Sequence, residues 1–408
     1  MNYYERALEL KDETIANRRH IHKNAETGLD LPKTKAYVME KLTEYGLEPK
    51  DCGYGVTATL GKGGKVLLLR ADMDALRINE EGDYEFKSKN PGVMHACGHD
   101  GHTASLLGVA MMLNEIKDEL HGNVKLIFQP AEEVEGGALP MIKEGVLENP
   151  KVDAVFGGHL WGSIEEGKVA VKHGAMMASP DIFTIKIHGK GGHAGVPHAS
   201  VDPVPIMAQV ITALQTIVSR KNDPTNPLVI SCCNVHSGEC HNAIPTEALI
   251  QGTVRTLNNE TRDFAEEAIE KFVKGIVESQ GASYEFEFIR QFPPLVNDKN
   301  MADVLEKAAK KILTLKIRGY SIENSVPQPL IFVQKNSSQI FHKIISTHLL
   351  TVLIIGVILQ LEQRKGNKKK EKVPNPQGSG TQHIGFLRQC LNIFYECLLK
   401  GDMTYDVT

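Results

Sequence analysis

The chain has 408 residues, of which 41% are hydrophobic and 24% are charged, and its formal net charge is -4. This length exceeds what one ordinary core supports, so two domains, or one domain with an insertion, are expected. A charge this close to neutral gives no electrostatic reason to expect nucleic acid or an acidic membrane as a partner.

The N-terminal segment and the cysteines favour a cytoplasmic protein. The segment MNYYERALELKDETIANRRHIHK is charged throughout, lacks the apolar core of a signal peptide and predicts a first amphipathic helix. The seven cysteines are odd in number and irregularly spaced, which argues against a disulfide framework and for a reducing compartment. Cys97 must then be explained as a thiol or a thiolate.

Apolar runs of strand length alternate with helical stretches in the first half of the chain. Three runs predict buried strands that end in polar residues, namely KVLLLRADMD (65–74), NVKLIFQPAEE (123–133) and DAVFGGHLW (153–161). Between them, HTASLLGVAMMLNEIKDEL and GALPMIKEGVLEN have the spacing of helices. This alternation predicts an α/β domain with a mostly parallel sheet, in which sites form at the carboxyl ends of the strands.

The stretch VMHACGHDGHTASLLG concentrates a cysteine, three histidines and an aspartate ahead of an apolar helix. The sulfur of Cys97 and a nitrogen of His99 are good ligands for zinc-like ions. A helix is predicted to start near His102, and Cys97 and His99 precede it in an extended loop. Residues two apart in such a loop direct both side chains at one centre. The alternative is a capping loop in which Asp100 caps the helix and the histidines are exposed.

Carboxylates and a further histidine follow the predicted strands. Two buried ionised carboxylates at Glu132 and Glu133 repel each other unless a cation lies near, so one could bind a metal and the other act as general base. A solvated acidic turn is the alternative. His159 is either a ligand or a buried histidine, and Asp72 and Asp74 are ligands, partners that orient a ligand histidine, or turn residues. Together these groups favour a metal site over coincidence.

From about Ser179 to about residue 294 the pattern changes to β-α-β-β-α-β, which predicts an inserted ferredoxin-like α+β domain. Within it, GKGGHAGVPH offers His193 in a glycine-rich turn, and NAIPTEALIQGTVRT offers Asn242 and Arg255. A mobile histidine can stabilise an oxyanion, and an arginine can hold a carboxylate through two hydrogen bonds. Each of these residues, taken singly, also has the features of an ordinary surface residue.

Residues 313–408 lack this order. The run Ile344–Leu361 contains eighteen residues without Asp, Glu, Lys or Arg and precedes RKGNKKKEK, a length and a basic flank that meet the lower limit for a membrane span. No other part of the chain is typical of a membrane protein. A membrane-tethered form is therefore the alternative, and a protein without a membrane span is expected.

Seven segments, in chain order, resemble the motifs of the M20 metallopeptidases: RRHIHKNAETGLD, LRADMDAL, MHACGHDGHTA, QPAEE, GGHLW, GKGGHAGVPHASVDP and NAIPTEALIQGTVRT. The match covers roughly residues 5–312 and is to the branch of N-acyl-amino-acid deacylases, hippurate hydrolases, N-acetyldiaminopimelate deacetylases and plant auxin-conjugate hydrolases. The resemblance implies a zinc-peptidase-like α/β catalytic domain, interrupted by a ferredoxin-like dimerisation lid. The expected division is catalytic domain at 1–178 and 295–312, lid at 179–294 and an atypical tail at 313–408.

The resemblance also implies a site and a reaction. Two divalent ions (Zn, Mn, Co or Ni) would be held by Cys97, His99, Glu133 and His159. Glu132 would be the general base and Asp74 a supporting carboxylate, while His193, Asn242 and Arg255 would meet the substrate from the lid, in the same or the partner subunit. The implied protein is a cytoplasmic homodimer that hydrolyses the amide of N-acyl amino acids. A dipeptidase or carboxypeptidase, and an inactive family member, are the alternatives.

Two departures from the family pattern stand out. Ala25 in HKNAE replaces the usual proline, and neither a GSEDF-like segment nor an HHPxF-like motif with the final metal-ligand histidine follows Leu313. His342, His348 and His383 have other neighbours. The abrupt change resembles translation out of frame after about residue 313, a hypothesis that an HHPxF motif in another frame of the coding DNA would support and its absence would contradict.

Overall fold

The structure is a computed structural model that describes residues 3–134, 136–161, 169–312 and 331–335. In these residues the helices are α1 (Tyr3–Glu9), α2 (Lys11–Lys23), α3 (Pro32–Glu44), α4 (His99–Glu115), α5 (Ala138–Lys143), α6 (Pro203–Thr216), α7 (Asn259–Ser279) and α8 (Lys299–Ile312). The strands are β1 (Lys50–Cys52), β2 (Gly55–Gly61), β3 (Val66–Asp72), β4 (Asn123–Gln129), β5 (Ala154–Gly158), β6 (Gly174–Met177), β7 (Asp181–His188), β8 (Gly192–His193), β9 (Leu228–His236), β10 (Ala243–Ile244), β11 (Glu247–Thr256), β12 (Ser283–Ile289), β13 (Leu295–Asn297) and β14 (Ile331–Lys335).

The described residues divide into two compact units, the first formed by those up to Val171 and from Asp298 onward and the second by Lys172–Asn297. The first unit contains a six-stranded sheet in the order β1-β2-β4-β3-β5-β14. Its centre is parallel, because β3 pairs in parallel with both β4 and β5. The remaining pairs, β1 with β2, β2 with β4 and β5 with β14, are antiparallel.

The sheet is therefore mixed, and the prediction of a mostly parallel sheet is wrong outside its centre. No element was predicted for Lys50–Gly61, although β2 within it alternates between buried and more exposed residues. A tight turn between Cys52 and Gly55 folds this segment into a hairpin. Antiparallel strands need only such a turn, whereas parallel strands need a long crossover, so a hairpin at the sheet edge forms without a helix.

Both faces of the central strands are covered, which explains why their sequences are continuous apolar runs. Leu67 and Leu69 of β3 point into the main core with Leu107 of α4. The intervening Leu68 packs on the opposite face with Met141. Almost all of α4 is buried, as expected for a central helix that is apolar on every side. The carboxyl ends of β3, β4 and β5 are thus held by packing on both faces.

The second unit contains a four-stranded antiparallel sheet in the order β12-β7-β11-β9. Alternate residues of β7, including Phe183, Ile185 and Ile187, are buried in a core to which α6 and α7 contribute. The start of α7 is joined to the start of β7 by a buried ion pair, in which Arg262 Nε donates to Asp181 Oδ2 at 2.7 Å. The prediction that this unit serves as an inserted lid stays a prediction.

Within the predicted atypical tail, the structure describes β14, which extends the first unit's sheet beside β5. The apolar run Ile344–Leu361 and the histidines His342, His348 and His383 lie outside the described residues. Among the residues that are described, no helix has both the length and the apolar character needed to cross a membrane.

Candidate metal centre

Three parallel strands deliver acidic and histidine side chains to one edge of the first unit's sheet. Asp72 is the last residue of β3, and Asp74 lies two residues further. Glu132 and Glu133 follow β4, and His159 directly follows β5. Because β3 pairs in parallel with both neighbours, these carboxyl ends lie side by side.

The first turn of α4 and the residue before it complete this edge. The helix begins at His99, earlier than the predicted start near His102. Gly98 precedes it with φ 99°, a left-handed conformation that glycine adopts without a steric penalty. Cys97 Sγ lies 3.3 Å from His159 Nε2, and the donor atoms of Cys97, His99 and His159 all lie within 4.8 Å of one another.

A sharp turn presents the two glutamates. Ala131 has φ 48°, a conformation that is unfavourable for a residue with a side chain and that is enriched at functional sites. The Glu133 backbone N–H donates to Asp74 Oδ2 at 3.1 Å. Glu132, Glu133 and His99 form a second group whose donor atoms lie within 4.8 Å of one another. The turn thus connects both glutamates to the group around Cys97.

The hydrogen bonds direct the second nitrogen of each histidine toward this centre. His99 Nδ1 donates to Asp74 Oδ1 at 3.2 Å, so Nε2 is the nitrogen left for a metal ion, which would take the place of the second ring proton. His159 Nδ1 donates to the Leu160 carbonyl at 2.6 Å, so its Nε2 is an acceptor and faces Cys97 Sγ at 3.3 Å. Carboxylates and carbonyls orient metal-binding histidines in this way in many proteins.

These donors fit a divalent ion. Atoms bound to one tetrahedral zinc-like ion at about 2.0–2.3 Å lie about 3.3–3.8 Å apart. The Cys97 Sγ to His159 Nε2 distance is 3.3 Å, and the His99 Nε2 to Glu133 Oε1 distance is 3.7 Å. Both His99 Nε2 and Glu133 Oε1 are buried without a hydrogen-bond partner among the described residues, an arrangement that is costly unless something binds them.

The electrostatics of the site favour a cation. Burial opposes a charge on His99, but Asp72 and Asp74 outweigh it and raise the pKa of His99 to about 11. Burial, with the neighbouring His102, lowers the pKa of His159 to about 3 and keeps its ring neutral. Burial also raises the pKa of the Glu132 carboxyl, which gives it a higher proton affinity, as a general base requires.

His102 is a further residue at this sheet edge that the sequence patterns did not single out. Its Nδ1 donates to Asp72 Oδ1 at 2.5 Å, and its Nε2 accepts the Leu160 N–H at 2.8 Å. It therefore ties the end of β3 to the residue that follows His159. Positions three apart on a helix share a face, but the predicted helix began near His102, so His99 and His102 were not placed on one face.

The alternative interpretation of this stretch as a capping loop is wrong. Asp100 makes no capping hydrogen bond and instead accepts from Arg18 and His22. His99 and His102 are buried in the protein, not exposed. The reason is that the stretch packs against α2 and the strand ends, so polar side chains meet each other there instead of water.

The predicted substrate-binding residues lie in the second unit. His193 is exposed on β8, and Asn242 is exposed next to β10, which pairs with β8. His193 Nδ1 accepts the Gly195 N–H at 2.9 Å, so the ring proton lies on Nε2. Arg255 is half-buried near the far end of β11. The structure brings His193 and Asn242 together, but it separates them from Arg255 within this unit.

Comparisons with known proteins agree with this chemistry. The model of peptidase family M20/M25/M40 matches residues 68–333. An N-acyl-L-amino acid amidohydrolase of Geobacillus stearothermophilus is 48% identical over 294 residues, which cover 71% of this chain and 79% of that protein. Thermostable carboxypeptidase 2 of Saccharolobus solfataricus is 43% identical over 316 residues, which cover 75% of this chain and 80% of that protein. Among solved structures, the Bacillus subtilis YXEP protein is described as a dinuclear metal-binding peptidase. It matches this chain with a TM-score of 0.68 and 30% identity, and the match covers 86% of this chain and 99% of that chain.

Proposed function

The chain belongs to peptidase family M20/M25/M40, and on that premise we propose that it hydrolyses the amide bond of N-acyl amino acids with two divalent metal ions. The observation that carries this proposal is that two groups of closely spaced ligand side chains, Cys97 with His99 and His159, and His99 with Glu132 and Glu133, share His99 at this sheet edge. Cys97, His99, Glu133 and His159 would hold the ions. The mixture of thiolate, imidazole and carboxylate suits zinc, cobalt, nickel or manganese.

Divalent ions at this centre would polarise the scissile carbonyl and lower the pKa of water. Glu132 is proposed as the general base. It is half-buried beside the ligand group, and burial raises its pKa, so it can take a proton from water and pass it to the departing amine nitrogen. Asp74 would keep Nε2 of His99 directed at the centre, since it accepts the proton of Nδ1.

The second unit is proposed as the substrate-binding lid. His193 carries its ring proton on Nε2, and this exposed N–H could donate to the oxyanion of the tetrahedral intermediate. Arg255 would hold the substrate carboxylate through paired hydrogen bonds, with Asn242 as a further donor. Glu247 and Arg255 are eight residue steps apart along β11, about 27 Å, so the two ends of this unit cannot contact one amino acid.

This separation supports a homodimer in which the two ends of the unit serve different active sites. The edge strand β9, LVISCCNVH, contains no Lys, Asp or Glu, and its Val229 and Val235 are 49% and 44% exposed. An uncharged edge strand of this length is a template for pairing with another chain. We expect the unaltered protein to be dimeric by light scattering and Val235→Lys to shift it toward the monomer. A monomeric unaltered protein would contradict this proposal.

A carboxypeptidase is the second candidate, because a thermostable carboxypeptidase is 43% identical to this chain. The same centre and base would serve both reactions, since each cleaves an amide next to a free amino-acid carboxylate. Only the group on the acyl side differs. A substrate panel therefore separates the two functions.

We expect the purified full chain, stripped with a chelator, to hydrolyse N-acetyl or N-benzoyl amino acids only after Mn, Co, Ni or Zn is added back. Dipeptides and N-blocked dipeptides in the same panel test the carboxypeptidase alternative. Turnover should be lower than that of the Geobacillus amidohydrolase measured in parallel, because the family's C-terminal motifs do not follow Leu313. Stoichiometric metal binding without any turnover would indicate an inactive family member, and turnover that survives chelation would contradict metal dependence.

The cytoplasmic location stays a prediction. The described cysteines, Cys52, Cys97, Cys232, Cys233 and Cys240, are free. Fractionation of the source cells would test it.

A further inference from the structure

One loop connects the end of β3, near Asp74, to the start of α4 at His99, and both ends belong to the proposed metal centre. We define the centre loop as residues 75–98. It begins directly after Asp74, contains Cys97 and ends where α4 starts with His99. Its neck is closed by two backbone hydrogen bonds of 3.0 Å between Leu76 and Met94. The closed neck therefore lies between Asp74 on one side and Cys97 and His99 on the other, so it helps to set the spacing of these residues.

A group of charged side chains, which we call the buried cluster, lies between this loop and α2. It consists of Arg18, His22, Glu80 and Asp100, whose side chains are 7%, 3%, 2% and 0% exposed. Arg18 Nε and His22 Nδ1 each lie 2.9 Å from Asp100 Oδ2, and His22 Nε2 lies 2.9 Å from Glu80 Oε1. None of these residues is among the proposed metal ligands.

The ring of His22 bridges two carboxylates. Ionised carboxylates only accept hydrogen bonds, so both ring nitrogens must donate and the imidazole carries two protons. Burial opposes this charge, but Asp100 and Glu80 outweigh it and raise the pKa of His22. The cluster then contains two cations and two anions, a balance that a buried group of charges requires.

The two carboxylates hold different parts of the centre. Asp100 is adjacent to His99 in the first turn of α4, whereas Glu80 belongs to the centre loop. Glu80 is itself held by the Ser88 N–H at 2.7 Å and by the Tyr84 hydroxyl. The ring of Phe86 packs edge-on against His22 at 5.5 Å. The loop therefore folds around the His22 side chain.

We propose that the buried cluster is a positioning device for the metal centre, in which α2 holds the centre loop and the start of α4 in register. His22 is the positioning residue, because it is the group that contacts both carboxylates. This inference rests on the proposed function, since it assigns the cluster to that centre. Residues that orient metal ligands from outside typically change metal affinity by about 10–100-fold when altered.

The test compares three variants of the full chain. His22→Gln removes the cation of the contact between His22 and Glu80, and Glu80→Gln removes its anion. Asn17→Ala is the matched control: Asn17 is buried on the same helix, and its side chain bonds to Tyr37 and Tyr45, outside the cluster and the loop. Cobalt affinity is measured by competition with a chromophoric chelator. Hydrogen–deuterium exchange of residues 76–95 is measured on metal-free protein.

We expect His22→Gln and Glu80→Gln to bind cobalt about 10–100-fold more weakly and to exchange faster across residues 76–95. Asn17→Ala should lower the thermal midpoint but leave both readouts unchanged. Equal loss of cobalt affinity in Asn17→Ala, or unchanged exchange in both cluster variants, would overturn the positioning role. An unaltered protein that binds no cobalt would instead contradict the proposed function. The exchange measurement needs no metal, so the two proposals fail separately.

Discussion

A Glu132→Gln variant is expected to lose about 10²–10⁴-fold in kcat on its best N-acyl amino acid, while its metal content stays unchanged. Glutamine has nearly the same shape but cannot take a proton from water. The proposed ligands Cys97, His99 and His159 are untouched, so the centre should remain assembled. Steady-state kinetics and elemental analysis of the same preparation measure both quantities.

Two further variants make this result specific. Glu144→Gln alters an exposed glutamate of the same unit and should have no effect on kcat. Glu133→Gln should show the reverse pattern, with loss of metal, because Glu133 Oε1 faces His99 Nε2. Full turnover by Glu132→Gln would show that another group is the base. Loss of metal from Glu132→Gln would show that the two glutamates have been assigned in the wrong order.

A His99→Asn variant is expected to bind divalent metal more than about 100-fold more weakly and to lose nearly all activity, a larger effect than removal of an outer partner produces. His99 is shared by the three groups of closely spaced ligand side chains at this sheet edge. Asparagine can still donate to Asp74 from the position of Nδ1, but it has no atom at Nε2. The variant therefore removes the ligand atom while retaining the local hydrogen bond.

His121→Asn is the control for this variant, because His121 is an exposed histidine of the same unit. Its cobalt affinity should equal that of the unaltered protein. The far-UV circular dichroism spectrum of His99→Asn should match that of the unaltered protein, which separates loss of a ligand from loss of the fold. If His99→Asn retained cobalt affinity within about threefold, His99 would not be a ligand, since one ligand contributes far more than that.

The candidate ligands were predictable from the sequence because their chemistry is visible in the residue types. Cysteine, histidine and paired glutamates are placed at strand ends by local periodicity, which requires no knowledge of distant contacts. The strands β3, β4 and β5 were predicted for the same reason. The patterns offered Cys97, His99, the Glu132 and Glu133 pair and His159 as candidates, and the family resemblance selected Glu133 as the ligand of that pair. The structure places these residues in two groups of closely spaced donor atoms that share His99.

Local patterns could not predict how the sheet edges pair. The hairpin of β1 and β2 was not assigned, although β2 alternates in burial, because its three-residue partner strand carries little signal. The antiparallel addition of β14 to β5 joins residues that are far apart in the chain. Such pairing depends on which edge remains open after the centre has formed, and that is a property of the assembled sheet.

The sequence by itself determined which side chains could bind a metal and roughly where the strands and helices lie, because both follow from residue chemistry and short-range periodicity. Only the tertiary structure decided which partner each side chain has. Asp100 had the sequence features of a helix cap, yet it meets His22, which lies 78 residues earlier in the chain. His102 contacts both Asp72, which lies 30 residues earlier in the chain, and Leu160, which lies 58 residues later. Contacts of this kind depend on how the elements pack, which no local pattern encodes.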